Sequence, residues 1–259
     1  MRFLCILAAA RTGSTRLNRI LNSTGLNTKS ELFHPHARGD LAPREVEALA
    51  AASNGAVHDA EAYIAWRRQN PLATLNALQG VRRKRILAFK VFPGHLEREG
   101  LQALLAADDI AYAILRRRPI DCFISQEKAQ IVGKHRGIDT TAIKPELSPE
   151  SFVGWAKWHK GWFKKMRTAL VERGKPFAEL SYERHIEGRT GRQTLEAILP
   201  LLEACGLPPL GVVAEPDDIP RQDNEPDYRL RVANWESFAQ ALRADPADAL
   251  LLEWAQTVP

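Results

Sequence analysis

Short apolar runs alternate along the chain with longer stretches in which apolar residues recur at helical spacing. The runs that predict strands are Phe3–Ala8, Ile86–Phe92, Ile110–Leu115 and Phe177–Leu180, and Lys29–Phe33 predicts a short strand or a strand-like loop. Short apolar strands that alternate with helices are typical of a parallel sheet with helices on both faces. We therefore predict an α/β fold with a central parallel sheet flanked by helices.

The predicted helices are marked by their ends as well as by their periodicity. Ser14–Asn22 is followed by Gly25, which can end a helix, and Ser148 is placed to cap a long helix through Leu170. The others are Pro43–Ala52, Ala60–Leu78, His95–Ala106, Pro119–Val132, Arg192–Cys205, Val232–Leu242 and Ala247–Trp254. This pattern predicts a single domain over residues 1–259 with a helical C-terminal portion from about residue 190.

Length and cysteine content limit the class of protein. A chain of 259 residues can bury one substantial core. Cys5, Cys122 and Cys205 are odd in number and widely spaced, which suits neither a disulfide framework nor a zinc site, so reduced thiols are expected. The apolar stretches are too short to cross a bilayer, and the N-terminal one is too short for a signal peptide. We expect a cytoplasmic protein with no membrane span.

The charge balance favours a small anionic ligand over nucleic acid. A net charge of +5 suits an anion but is too small to indicate nucleic-acid binding. The densest basic run, Arg82–Arg85, is typical of a solvated face before a strand, and no aromatic residues interleave with it.

The turn Arg11–Thr15, between the first strand and the first helix, is the strongest candidate site. A Gly/Ser/Thr turn that opens a helix directs backbone N–H groups and the positive end of the helix dipole at one spot, and Arg11 adds a bidentate cation. The turn differs from the nucleotide-triphosphatase loop because it has one glycine and no lysine before its hydroxyls. It predicts a phosphate or sulfate site, although such units in many α/β proteins bind no anion.

Further cations and hydroxyls follow neighbouring strands. Lys90 lies in the third strand, and Arg117 and Ser125 follow the fourth. If these strands are adjacent, their carboxyl ends form one crevice that could hold a doubly anionic nucleotide. Each residue also has a structural interpretation: Arg117 could pair with a surface acid, Ser125 could bond back to its helix, and Lys90 could extend to solvent.

Four segments, in their order along the chain, resemble segments of the PAPS-dependent sulfotransferases, which use 3′-phosphoadenosine-5′-phosphosulfate. The chain looks most like the bacterial carbohydrate sulfotransferases of the trehalose and Nod-factor type. Arg11–Thr15 resembles the 5′-phosphosulfate loop, and Arg117 with Ser125 resembles the 3′-phosphate pair. The segment Ser30–Pro35 resembles the one that carries the catalytic base, and Pro220-Arg221-Gln222 resembles a late segment over the nucleotide.

The resemblance implies a P-loop-like sulfotransferase fold and sulfuryl transfer from PAPS to an acceptor hydroxyl, on a carbohydrate or glycolipid, without a metal. Glu31 would be the base, with Lys90 and Arg11 as the other catalytic residues, and His95 is a rival base. Among Arg116–Arg118, spacing favours Arg117 for the 3′-phosphate. The implied cofactor-binding residues are Arg11, Thr12, Gly13, Ser14, Thr15, Arg117, Ser125, Arg221 and Gln222.

The sequence leaves open the role of three tryptophans and two alternative functions. Trp155, Trp158 and Trp162 recur at helical spacing, so they predict a core stripe, a homodimer face or a sugar-stacking wall. A P-loop-type nucleotide kinase would share the loop position but needs magnesium and a loop lysine. A non-catalytic protein that binds a nucleotide or polyanion would share the cations but gain nothing from Glu31.

Overall fold

Five short strands form one parallel sheet. They are β1 (Phe3–Leu7), β2 (Asn27–Lys29), β3 (Leu87–Val91), β4 (Ile110–Arg116) and β5 (Phe177–Ser181), in a computed structural model that describes residues 1–36, 41–55, 59–81, 86–133, 138–216 and 222–259. Their order across the sheet is β2-β3-β1-β4-β5, and every neighbouring pair is parallel. The predicted α/β class, with a central parallel sheet flanked by helices, is confirmed.

The helices lie between and after these strands. They are α1 (Ser14–Asn22), α2 (Pro43–Ala52), α3 (Ala60–Gln69), α4 (Pro71–Val81), α5 (Arg98–Ala106), α6 (Pro119–Val132), α7 (Pro149–Glu172), α8 (Tyr182–His185), α9 (Gly191–Ala204), α10 (Tyr228–Arg231), α11 (Trp235–Arg243) and α12 (Pro246–Gln256). Within the described ranges, no helix combines the length and apolar composition needed to cross a membrane.

The central strand β1 determines where the chemistry of the chain can gather. All five of its residues are buried, as expected for a parallel strand covered on both faces. Its last residue, Leu7, is in register with Val91 of β3 and Ile114 of β4. The segments that follow these three strands therefore begin side by side at one edge of the sheet.

The two faces of the sheet bury separate apolar clusters. Leu7 and Phe89 belong to the cluster that includes residues of α4, α5 and α7, whereas Leu4 and Ile6 pack with residues of α1 and α9. A third cluster, which includes Phe152 of α7, joins α6 and α7 to α11 and α12. Helix α7 thus contributes to two clusters and connects the sheet to the C-terminal helices.

The segment Lys29–Phe33, predicted as a short strand or a strand-like loop, is a loop after its first residue. The paired segment is Asn27–Lys29, and the chain from Ser30 onward is a loop. Leu32 and Phe33 are buried from that loop, and Phe33 contacts the ring of Phe89 edge-on. Their apolar character reflected burial, which a loop side chain can achieve without strand pairing.

The prediction of one helix over Ala60–Leu78 was also wrong, because the segment forms α3 and α4. The break is at Asn70, whose ψ of 57° is outside the helical range, immediately before Pro71. Proline disfavours helical geometry in the residue before it and cannot donate a backbone hydrogen bond. The predicted helix His95–Ala106 begins later, at Arg98, which leaves His95 in the β3–α5 loop.

His159 of α7 is a buried histidine in an aromatic environment. It is 2% exposed, and its ring stacks on Trp155 at 4.6 Å and lies 4.9 Å from Phe163. Among the described residues, neither of its ring nitrogens has a hydrogen-bond partner. Burial therefore lowers the pKa of His159 from 6.5 to about 4.

We predict that His159 makes the protein acid-sensitive. Because its pKa is higher in the unfolded chain, protonation favours unfolding as the pH falls from 6.5 to about 4, and on the order of 3 kcal/mol of stability is lost. His159→Leu keeps an apolar side chain of similar size and should remove most of this loss. Urea unfolding at several pH values checks it, and an unchanged pH dependence in the variant would contradict it.

Candidate functional site

The loop after β1 turns back sharply at the carboxyl edge of the sheet. Arg11 and Gly13 both adopt a positive φ, of 67° and 84°. Between them, the buried Thr12 donates its hydroxyl to the carbonyl of Ala9 at 2.8 Å. The left-handed geometry is unusual for arginine and persists only where surrounding contacts hold it.

Gly13 is required by its neighbour as well as by its backbone angle. A Cβ atom at this position would lie 2.3 Å from Cδ2 of Tyr182, which is far closer than two carbon atoms can approach. Gly13 precedes the first helical residue, Ser14, and provides no side chain to cap α1. The N–H groups of the first turn of α1 and the positive end of its dipole are therefore at the sheet edge, where an anion would be stabilised.

Arg11 connects two other predicted site residues that are distant in sequence. Its Nε donates to Ser125 Oγ at 2.9 Å, and its Nη2 donates to Gln222 Oε1 at 2.8 Å. The structure thus brings the β1–α1 loop, α6 and the late segment together around one guanidinium. Pro220 and Arg221, which the resemblance also implicates, lie outside the described residues.

Arg117 supports the same loop from the end of β4. Its guanidinium lies over the Tyr182 ring at 4.5 Å, and Nη1 donates to the Arg11 carbonyl at 3.1 Å. Burial lowers the pKa of Arg117, but Cys122, Tyr182 and nearby carboxylates raise it by more, so that it lies above its ordinary value. Arg117 is therefore a permanent cation beside the loop.

The arginines on either side of Arg117 make different contacts. Arg116 lies 3.8 Å from Glu179. Arg118 lies 3.3 Å from Asp121, and its backbone N–H donates to Glu183 at 2.7 Å. The guanidinium of Arg117, by contrast, contacts the Arg11 backbone.

Lys90 brings a carboxylate and a hydroxyl together at the end of β3. Its fully buried side chain places Nζ 3.7 Å from Glu31 Oε1 and 3.4 Å from Thr15 Oγ1. Both separations exceed the roughly 2.7–3.2 Å of a short hydrogen bond. Glu31 is 22% exposed, so this carboxylate is open to a ligand while the ammonium group beside it is enclosed.

Two histidines complete the surroundings of Glu31. His34 Nε2 lies 3.8 Å from Glu31 Oε2, and the His34 ring is 5.8 Å from that of His95. Burial lowers the pKa of His95 to about 4; Glu31 opposes this effect, and electrostatic interactions with His34 and Lys90 add to it. His95 is therefore neutral near pH 7, and the structure brings both candidate bases into one cluster.

Buried charged groups anchor the loop that carries Glu31. Arg67 of α3 is fully buried and donates Nη2 to the His34 carbonyl at 2.7 Å. Where this loop begins, at the end of β2, Lys29 Nζ lies 2.6 Å from Glu45 Oε2 in a buried ion pair. Sequence analysis did not identify these residues, and α3 gives no local signal for Arg67, because the two residues after it make the same end of the helix polar.

A second buried charge network fixes the segment that carries Gln222. Arg231 Nε lies 2.9 Å from Asp223 Oδ2, and Lys128 Nζ lies 2.8 Å from the same oxygen. Arg231 also pairs with Asp121 of α6. Because removing one member of a buried ion pair leaves an uncompensated charge, this network strongly constrains the chain beside Gln222. Sequence analysis did not predict this network, because its members are far apart in the sequence.

The three tryptophans of α7 have different environments. Trp155 packs against Phe123 and His159 in the core. Trp162 donates Nε1 to the Ala8 carbonyl at 3.1 Å, next to the β1–α1 loop, whereas Trp158 is 54% exposed. The predicted core stripe therefore holds for Trp155 and Trp162, which both pack against core clusters, and does not hold for the exposed Trp158.

Among the residues that the structure describes, no group of three or more histidine, cysteine, aspartate or glutamate side chains is arranged to hold a metal ion. The three cysteines are buried and free. Comparison of the chain with protein-family models and with curated proteins finds no match. Functional inference therefore depends on the geometry of the site.

We predict that Gly13→Ala destabilises the protein more than Gly188→Ala. Gly188 has a similar φ of 69° but open space around its Cβ position, so alanine there suffers backbone strain alone, about 1–2 kcal/mol. At Gly13 the clash with Tyr182 should add about 1–3 kcal/mol. Chemical denaturation of both variants checks the difference, and equal losses would mean that Tyr182 moves aside freely.

Proposed function

We propose that the protein transfers a sulfuryl group from PAPS to an acceptor hydroxyl, on a carbohydrate or glycolipid, using a P-loop-like sulfotransferase fold. The observation that carries this proposal is the Glu31 carboxylate 3.7 Å from the buried Lys90 ammonium, beside Thr15 in the first turn of α1. A site that only held anions would be weakened by a carboxylate, because like charges repel. A site that transfers a sulfuryl group uses both the Glu31 carboxylate and the Lys90 ammonium group.

Binding of the donor follows from the distribution of charge. The β1–α1 loop and the first turn of α1 would hold the 5′-phosphosulfate with backbone N–H groups, supported by Arg11. Arg117 and Ser125 would hold the 3′-phosphate on the other side of the loop. The contact between Arg11 and Ser125 supports this arrangement, because it shows that the two regions lie within one hydrogen bond of each other.

In the transfer step, Glu31 acts as the base, and Lys90 and Arg11 stabilise negative charge. Glu31 accepts the proton of the acceptor hydroxyl as the acceptor oxygen forms its bond to sulfur. The bond between sulfur and the oxygen of the 5′-phosphate breaks, and that oxygen keeps the electron pair. Lys90 and Arg11 stabilise the negative charge that develops there. The products are the sulfated acceptor, 3′-phosphoadenosine-5′-phosphate and a protonated Glu31, which returns its proton to water.

A nucleotide kinase and a non-catalytic nucleotide binder remain the alternatives. The chain has no lysine in the β1–α1 loop, and the enclosed ammonium group beside Glu31 is that of Lys90 in β3. A nucleotide screen separates these alternatives because each makes a different ligand stabilise the native state.

We expect 3′-phosphoadenosine-5′-phosphate to raise the melting temperature and ATP with Mg²⁺ to have little effect. A ligand at one hundred times its dissociation constant contributes about 2.7 kcal/mol to stability. In a thermal-shift assay, stabilisation by ATP with Mg²⁺ alone would favour the kinase. No stabilisation by either nucleotide would exclude the proposed donor.

Arg117→Ala should weaken binding of the 3′-phosphorylated nucleotide by about 1.5–3 kcal/mol, because a charge-assisted hydrogen bond is lost. Binding of adenosine 5′-phosphosulfate, which lacks the 3′-phosphate, should weaken less, because it loses only the support that Arg117 gives to the Arg11 carbonyl. Arg116→Ala is the matched control, since Arg116 lies beside Glu179 instead of the loop. Isothermal titration calorimetry compares the variants, and an equal loss for both nucleotides would remove Arg117 from the 3′-phosphate site.

Glu31→Gln should lower the transfer rate by about 10²–10⁴-fold, because the amide keeps the shape of the side chain but cannot accept the proton. Nucleotide affinity should survive. His95→Asn is the paired variant and should reduce the rate less. A fast Glu31→Gln variant together with an inactive His95→Asn variant would assign the base to His95.

A further inference from the structure

A cleft of about 500 Å³ opens beside the carboxyl ends of β1 and β3. Val91 of β3, Leu96 of the β3–α5 loop and Leu101 of α5 contribute apolar surface, and Trp158 and Trp162 line the cleft from α7. Cavities that bind small molecules commonly measure about 300–1,000 Å³ and combine apolar walls with a few polar groups. The size and lining of this cleft are in that class.

The two tryptophans form a wall of fixed and exposed aromatic surface. Trp162 is held by its hydrogen bond to the Ala8 carbonyl. Trp158, one helical turn earlier, is a large apolar side chain that remains 54% exposed. The flat C–H face of a pyranose packs well on such a ring, because it excludes water and makes many dispersion contacts.

The charged residues of the cleft are both cations. Arg98 and Lys165 are exposed lining residues, and among the described lining residues there is no carboxylate. Neither cation forms an ion pair with a described acid, in contrast to the nearby Arg68, which pairs with Glu97. A ligand carrying a negative charge would therefore meet two cations and no carboxylate among the described lining residues.

One residue of the cleft lining, Phe92, also packs beside the cluster around Glu31. The Phe92 ring lies 5.3 Å from Lys90 Nζ and 4.9 Å from the His95 ring. A sugar in the cleft would thus have hydroxyl groups near the groups that we assign to the transfer step.

We propose that this cleft binds an anionic pyranose of the uronic-acid type, with its flat face on the tryptophan wall and its carboxylate beside Arg98 and Lys165. The claim that this sugar accepts the sulfuryl group rests on the proposed function, whereas the claim that it binds in the cleft does not. The cleft thereby selects a charged sugar over a neutral one.

Ligand-observed NMR titrations of the full chain with methyl glucuronide and methyl glucoside test the binding. We expect tighter binding of the glucuronide. Trp158→Ala should weaken both sugars by about two- to tenfold, because both lose the stacking surface. The double variant Arg98→Gln/Lys165→Gln should abolish the preference for the glucuronide, whereas Lys164→Gln, an exposed residue outside the cleft lining, should preserve it.

Equal binding of the two sugars by the wild-type protein, or a preference that survives in the double variant, would overturn the proposal. The 3′-phosphoadenosine-5′-phosphate thermal shift separates this failure from failure of the proposed function. Nucleotide binding without glucuronide binding would reject the cleft alone. Glucuronide binding without nucleotide binding would reject sulfuryl transfer and leave an anionic-sugar site.

Discussion

The contact of Gly13 with the Tyr182 ring is the constraint on which the candidate site depends. Tyr182 follows β5 directly, and Arg117, at the end of β4, lies over the same ring while it donates to the Arg11 carbonyl. One aromatic side chain therefore links the segments after three strands. It brings the backbone of the loop close to a cation, and only a residue without a side chain permits that approach.

Complementary charge is the second organising feature. Buried cations are stable only when nearby acids or carbonyl groups compensate for the loss of water. Lys29 and Lys128 each have a carboxylate within 2.8 Å, which is the geometry of a structural ion pair. Lys90 is equally buried, but Glu31 is 3.7 Å away and partly exposed. The pair of Lys90 and Glu31 therefore has a looser geometry than the two structural ion pairs.

Much of the fold could be predicted because strand burial and helix ends leave local signals. The bounds of α1 and α6 follow from their first and last turns, and the order of strands and helices follows from apolar periodicity. The unbroken helix predicted over Ala60–Leu78 was wrong because it ignored the local signal of Pro71. Elsewhere tertiary burial outweighed the local pattern. Leu32 and Phe33 are apolar because a loop buries them, and no local signal distinguishes this from a strand.

The sequence by itself determined the alternation of strands and helices, the turn Arg11–Thr15 and the residue types after each strand. Only the tertiary structure decided which of these residues meet, because sheet order joins segments far apart in the chain: Arg11 contacts Gln222 across 211 positions. It also decided that Arg117 faces the loop and that His95 is buried beside Glu31. Those properties depend on distance and on exclusion of water, which arise only when the strands align and the helices cover them.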